Sequence, residues 1–166
     1  MESTVMSNVN FKKLQRTMLV NRVVQTLLLA LLVCIAVYVQ SGFAQQGKPG
    51  QFFSSVVVAV IVQLLLIYPI YKLAWRDVGI EIESSVAGLT PEQTAALRKK
   101  RLLGEMWKVC GVAFYMAFVL MVPDVKKAPG ARLVLASTIF SFLLTCLMYF
   151  QCFNFAGRKR VKSNDQ

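Results

Sequence analysis

The side chains able to do chemistry are few in this sequence, and they stand in places that argue against catalysis. There are eight carboxylates, Glu2, Asp77, Glu81, Glu83, Glu92, Glu105, Asp124 and Asp165, and each lies outside or at the rim of an apolar block. Histidine is absent. The four cysteines, Cys34, Cys110, Cys146 and Cys152, lie in or at the end of apolar blocks without CxxC spacing, so they predict neither a disulfide framework nor a metal site. Proton relays, ion-coupled transporters and intramembrane hydrolases carry acids, bases or metal ligands within their spans. A nucleophile such as Ser141 or Cys146 would here have no histidine or aspartate to activate it. Glu81 and Glu83 stand two apart, which separates them on a helix and gives them one face on a strand; a solvated surface is the expectation for both. The sequence predicts no enzyme, no cofactor and no metal centre.

Basic residues offer a different chemistry. Arg98, Lys99, Lys100 and Arg101 advance by about 100° each on a helix, so they form a ring of charge that cannot enter hydrocarbon. Arg158, Lys159 and Arg160 follow another apolar block. Both clusters suit anionic lipid headgroups, at about 1 kcal/mol per cation, and equally suit simple anchoring on the cytoplasmic side. The Arg-Lys-Arg at 158–160 also resembles a basic endoplasmic-reticulum retention signal. A net charge of +11 raises nucleic acid as a partner, but cytoplasmic loops of membrane proteins are enriched in Lys and Arg, and the excess is read as a topology signal.

Within the apolar blocks, the candidates are contact residues. Small residues four apart let helix backbones approach in lipid, and each block has such a pair: Ala30 with Cys34, Ser55 with Ala59, Ala113 with Ala117, and Ser137 with Ser141. Thr138, Ser141 and Thr145 are expected to bond back to carbonyls of their own helix. Gln63 is different. Its amide has no polar neighbour within a turn, so it is expected to meet the Ser and Thr residues of the last block or another subunit.

The elements that must position these residues follow from composition. Apolar residues make up 56% of the 166-residue chain and charged ones only 16%, below the share near 25% typical of soluble domains. Four blocks approach the ~20 residues that cross a bilayer core. The prediction is an all-α, four-helix membrane bundle with spans at about 19–39, 52–75, 102–122 and 133–153. A cytoplasmic loop at about 76–101 joins the second and third. Thr90, Pro91 and Gln93 predict a capped helix start that runs on into the third span. The stretch VGIEIESSV after Asp77 fits either a short strand or a segment lying on the membrane. Gly42 and Ala44 imitate a signal-peptide cleavage site, but the length of the first block and Arg22 favour an uncleaved anchor. With N- and C-termini cytoplasmic, every basic residue but Lys48, Lys126, Lys127 and Arg132 falls inside.

The functional expectation is a non-catalytic accessory, assembly or chaperone-like subunit of a larger membrane complex, in the endoplasmic reticulum, with another endomembrane or the mitochondrial inner membrane as alternatives. Its partners are the lipid bilayer and other membrane subunits or copies of itself, with no nucleic acid. One alternative is a small oligomeric channel or transporter lined by Gln63 and the Ser/Thr positions of the fourth span. Another is a lipid-binding or membrane-shaping protein.

Overall fold

A computed structural model of the chain describes residues 11–86, 88–121 and 130–164. Among these residues the protein is all-α, with four long helices each apolar enough to cross a membrane: α1 (Phe11–Gln45), α2 (Pro49–Glu83), α3 (Pro91–Met121) and α4 (Ala131–Asn164). The helices of 31 to 35 residues overrun the apolar blocks that announce them. A 35-residue helix is about 52 Å long at 1.5 Å per residue, against a hydrocarbon core of about 30 Å. The overhang is mostly at one end, where the start of α1, the α2–α3 turn and the end of α4 gather.

Local sequence explains the starts and stops. Pro49 opens α2 at a position where its missing N–H is no loss, and Gly47, with φ +68°, makes the preceding turn. Thr90 and Gln93 form the reciprocal capping box of α3: the Thr90 amide donates to Gln93 Oε1 at 3.1 Å and the Gln93 amide donates to Thr90 Oγ1 at 3.3 Å. Within the stretch expected as the cytoplasmic loop, 76–101, α2 continues over 76–83, and the helix expected from the Thr90 cap covers 91–101. Of its VGIEIESSV segment, expected as a strand or a segment on the membrane, Ser84–Val86 lie in the turn after α2, and Val78–Glu83 are the last turns of the helix itself. Val78, Gly79 and Glu81 are buried there because the helical period brings them onto the face that already carries Ile70 and Ala74. Pro123, Asp124, Lys126 and Lys127, the loop expected on the outer side, lie outside the described residues, as does Val122 at the end of the third span.

Three of the helices make the core. Near the overhanging end, Leu14 and Met18 of α1, Ala74 and Val78 of α2, and Phe153 and Ala156 of α4 pack together. Toward the other end Phe43, Ala59, Ala136 and Phe140 do the same, with Leu32, Ile35 and Val39 of α1 against them. α2 and α4 form the closest pair, and α1 lies along both. α3 is the outlier. Gly104 is its single buried residue among those described, so it leans on the bundle rather than joining it.

Candidate functional site

The α2–α4 contact is built from small and polar residues of the kind that hold helices together in lipid. Ser55 and Ala59 are fully buried, and Ser137 and Gln63 nearly so. Gln63 faces α4, and its amide nitrogen donates to the Ser141 carbonyl at 2.9 Å and to Thr145 Oγ1 at 2.7 Å. Thr145 in turn donates back to the Ser141 carbonyl at 2.8 Å. Ser137 and Thr138 bond back to Leu133 and Val134. Gln63 Oε1 is buried without a partner. Gln25 of α1 donates to Gln151 of α4 at 2.7 Å, a second polar tie on the same bundle.

The other two small-residue pairs do not pack within the chain. Ala30 and Cys34 on α1, and Ala113 and Ala117 on α3, remain exposed. α1 meets its neighbours through larger side chains instead, and the residues of α3 that approach the bundle are Arg101, Gly104, Lys108 and Tyr115. At about 100° per residue, Ala113 and Ala117 stand on the face opposite Lys108 and Tyr115.

α3 is held by charge. The Asp77 carboxylate on α2 accepts from Lys108 Nζ on α3 at 2.9 Å, from the Tyr149 hydroxyl on α4 at 2.7 Å and from Arg76 Nη2 at 3.2 Å. Lys108 also pairs with Glu105 at 3.1 Å and lies 4.9 Å from the Tyr149 ring centroid. Further out, Arg101 Nη2 meets Glu81 Oε2 at 3.6 Å. Glu81 is thus a buried partner and not the solvated surface residue expected of it; its side chain is 8% exposed. The absence of a side chain at Gly104 makes room for this arrangement, since a Cβ there would stand 2.9 Å from Arg76 Nη2. Asp77 carries three donors and Lys108 two carboxylates. The geometry is that of a clamp between helices, with each charge matched.

Deeper along the helices α3 touches the bundle once more, where Tyr115 stacks on Phe142 with centroids 4.0 Å apart and rings nearly parallel. Alongside the clamp, from Glu81 and Arg101 past Lys108 to Gly111, Val112 and Phe142, runs an open cleft of ≈ 600 Å³. Ile70 and Leu73 of α2, Gly111 and Val112 of α3, and Phe142 and Cys146 of α4 give it apolar walls, while Asp77, Glu105 and Lys108 stand at its charged end.

The predicted headgroup residues divide. Arg98, Lys99 and Lys100 are exposed, and Arg101, 55% exposed at its side chain, is shared with Glu81. Arg158 and Lys159 are exposed, with Lys159 Nζ 5.8 Å from the Trp75 ring. Arg160 is not a free headgroup ligand: its guanidinium lies 4.5 Å from the Trp75 ring centroid and rests on bare Gly79, where a Cβ would come within 2.9 Å of Nη1. Sequence reasoning found the local pair Glu105–Lys108 through its i, i+3 spacing but missed Asp77 and Tyr149 as its partners. The available signal was an acid just past one apolar block and a lysine at the rim of another. The four cysteines are unpaired, and the described residues contain no cluster of three or more acids and cysteines able to hold a metal ion. No protein-family model, no curated protein and no solved structure matches this chain.

Proposed function

We propose that the protein is a non-catalytic accessory or assembly subunit of a larger membrane complex, with both termini and the α2–α3 turn on the cytoplasmic side. The observation that carries this reading is the outward face of α3. Cys110, Ala113 and Ala117 form a small-residue stripe that is exposed on the side of α3 away from its own bundle, while the equivalent small residues of α2 and α4 are used internally. Small residues four apart suit a helix of another subunit better than they suit fluid lipid, since close backbone approach is their main contribution in a bilayer. The orientation rests on the concentration of Lys and Arg at the overhanging end. Placement in the endoplasmic reticulum rests on Arg158–Arg160, of which Arg158 and Lys159 remain exposed.

The channel reading has less support from the geometry. It needs Gln63 and the Ser/Thr positions of α4 to line a polar path, whereas the Gln63 amide nitrogen and Thr145 face each other and tie α2 to α4. The test is purification in mild detergent of the native chain and of the double variant Ala113→Leu, Ala117→Leu. The expected result is a stoichiometric foreign subunit that accompanies the native chain and is lost from the variant, with the thermal stability of the isolated chain unchanged. A pure homo-oligomer in both preparations would refute the accessory role and favour the channel. Labelling of cysteines introduced at Ser84 and Gln46, in a background without the native ones, tests the orientation; reaction of Ser84→Cys from the outer side would reverse it.

A further inference from the structure

We infer that the cleft beside α3 holds one acyl chain of an anionic bilayer phospholipid, with the lipid phosphate against Arg101 at the charged end. This goes beyond the partner reading and does not depend on it, because the outward stripe of α3 and the cleft are on opposite faces of the helix. The cleft exists because α3 is propped away from the bundle at two levels. Lys108 on Asp77 fixes one level at 2.9 Å, and the Tyr115–Phe142 stack fixes the other. Seven residues, about 10.5 Å of helix rise, separate the props. In that interval α3 presents Gly111, where an added Cβ would meet nothing within 4 Å, so the gap is not closed by side chains from either wall.

The occupant follows from the walls and from the surroundings. Protein interiors do not keep large apolar voids, and the part of the cleft lined by Ile70, Leu73, Val112 and Phe142 offers water too few polar partners. A single acyl chain is thin, apolar and present around the protein at the concentration of the bilayer itself. The headgroup follows from charge. The rim of α2 and α3 carries six cations, Arg76, Arg98, Lys99, Lys100, Arg101 and Lys108, against the five carboxylates Asp77, Glu81, Glu83, Glu92 and Glu105, and four of the cations are consecutive, Arg98–Arg101. Arg101 is the cation best placed at the mouth, since its guanidinium is 55% exposed and its contact with Glu81 is long at 3.6 Å. A guanidinium with five donors can keep that contact and still bind phosphate.

The experiment uses the full chain in vesicles of phosphatidylcholine and phosphatidylserine in equal parts, with chain-spin-labelled forms of each lipid as probes, and native mass spectrometry of the detergent-purified protein. The expected result is a motionally restricted phosphatidylserine component near one lipid per chain, and a matching retained lipid in the mass spectrum. Gly111→Phe fills the cleft and abolishes both signals; Cys146→Phe does the same from the α4 wall. Arg101→Gln, which removes the charge but keeps an amide donor toward Glu81, lowers the preference for phosphatidylserine over phosphatidylcholine about five-fold. The inference is overturned if no lipid is retained, or if Gly111→Phe keeps both its native melting temperature and the restricted component. Equal binding of the two lipids with no effect of Arg101→Gln overturns the headgroup assignment.

Discussion

Removing the Asp77 carboxylate should release α3 and leave the rest of the bundle intact. Asp77 is 11% exposed and Lys108 30%, so their pair is neither a surface ion pair, worth about 0.2–1 kcal/mol, nor a fully buried one, whose breakage costs about 3–5 kcal/mol. A coupling of about 1.5 kcal/mol is intermediate. The Tyr149 hydroxyl adds to this, because a hydrogen bond to a charged acceptor exceeds one to a neutral acceptor by about 1 kcal/mol. Asp77→Asn should therefore cost the docking of α3 about 2.5 kcal/mol, and Lys108→Met somewhat less, since Asp77 keeps Tyr149 and Arg76. Amide hydrogen exchange on residues 98–108 reads this directly, as each ~1.4 kcal/mol is a tenfold change in opening. The expected outcome is a rise of more than tenfold for Asp77→Asn, no change around Gln63, and a coupling of about 1.5 kcal/mol in the double-mutant cycle with Lys108→Met. A coupling below about 0.3 kcal/mol, or opening of the α2–α4 contact in step with α3, would refute the claim that this clamp holds α3.

Gln63→Leu removes two interhelical hydrogen bonds at about 0.6 kcal/mol each but also removes the buried, unpartnered Oε1, so thermal unfolding in detergent should change by less than about 1 kcal/mol. Arg160→Gln should shift the fluorescence of Trp75, measured in a Trp107→Phe background, and cost about 1 kcal/mol or less of stability; an unchanged spectrum would mean that the guanidinium does not stack there. Gly104→Ala should be tolerated because the tip of Arg76 is 46% exposed and free to swing outward, whereas Gly104→Leu should lever α3 from Asp77 and raise exchange at residues 98–108.

The four helices were legible because hydrocarbon demands long apolar runs, and nothing else in this chain produces them. Their ends were less so. Apolarity marks only the part of a helix that would stand in the bilayer core, and the last turns of α2 carry Asp77, Glu81 and Glu83, which reads as a break. Helical periodicity of Ile70, Ala74, Val78 and Glu81 shows the continuation once a partner face is known. The polar tie at Gln63 was visible in sequence because an isolated amide among aliphatic residues has few other ways to be satisfied. The clamp on α3 was half visible. Glu105 and Lys108 are neighbours on one helix, so spacing pairs them, but the meeting of Lys108, Asp77 and Tyr149 depends on the tilt of α3 against two other helices. For the same reason the outward turn of Ala113 and Ala117 could not be read from their spacing, which describes a face without saying what it faces.

The pairing of α2 with α4, across an α3 that stands aside, sets an order of events during synthesis. The acceptors for the Gln63 amide lie 78 and 82 residues downstream of it, so α2 enters the membrane long before they have been made. Until then Ser55, Ala59 and Gln63 face either lipid or whatever protein escorts the growing chain. α3 emerges next and supplies no substitute surface, since its contact with α2 is confined to the charged rim and the turn before it. The core therefore closes only when the last helix arrives, and a nascent chain stopped short of residue 131 is left with its main packing face open. Long-range contacts of this kind form late and slowly. For this protein the interval is one in which an insertion factor has a defined substrate: an amide-bearing helix waiting for its partner.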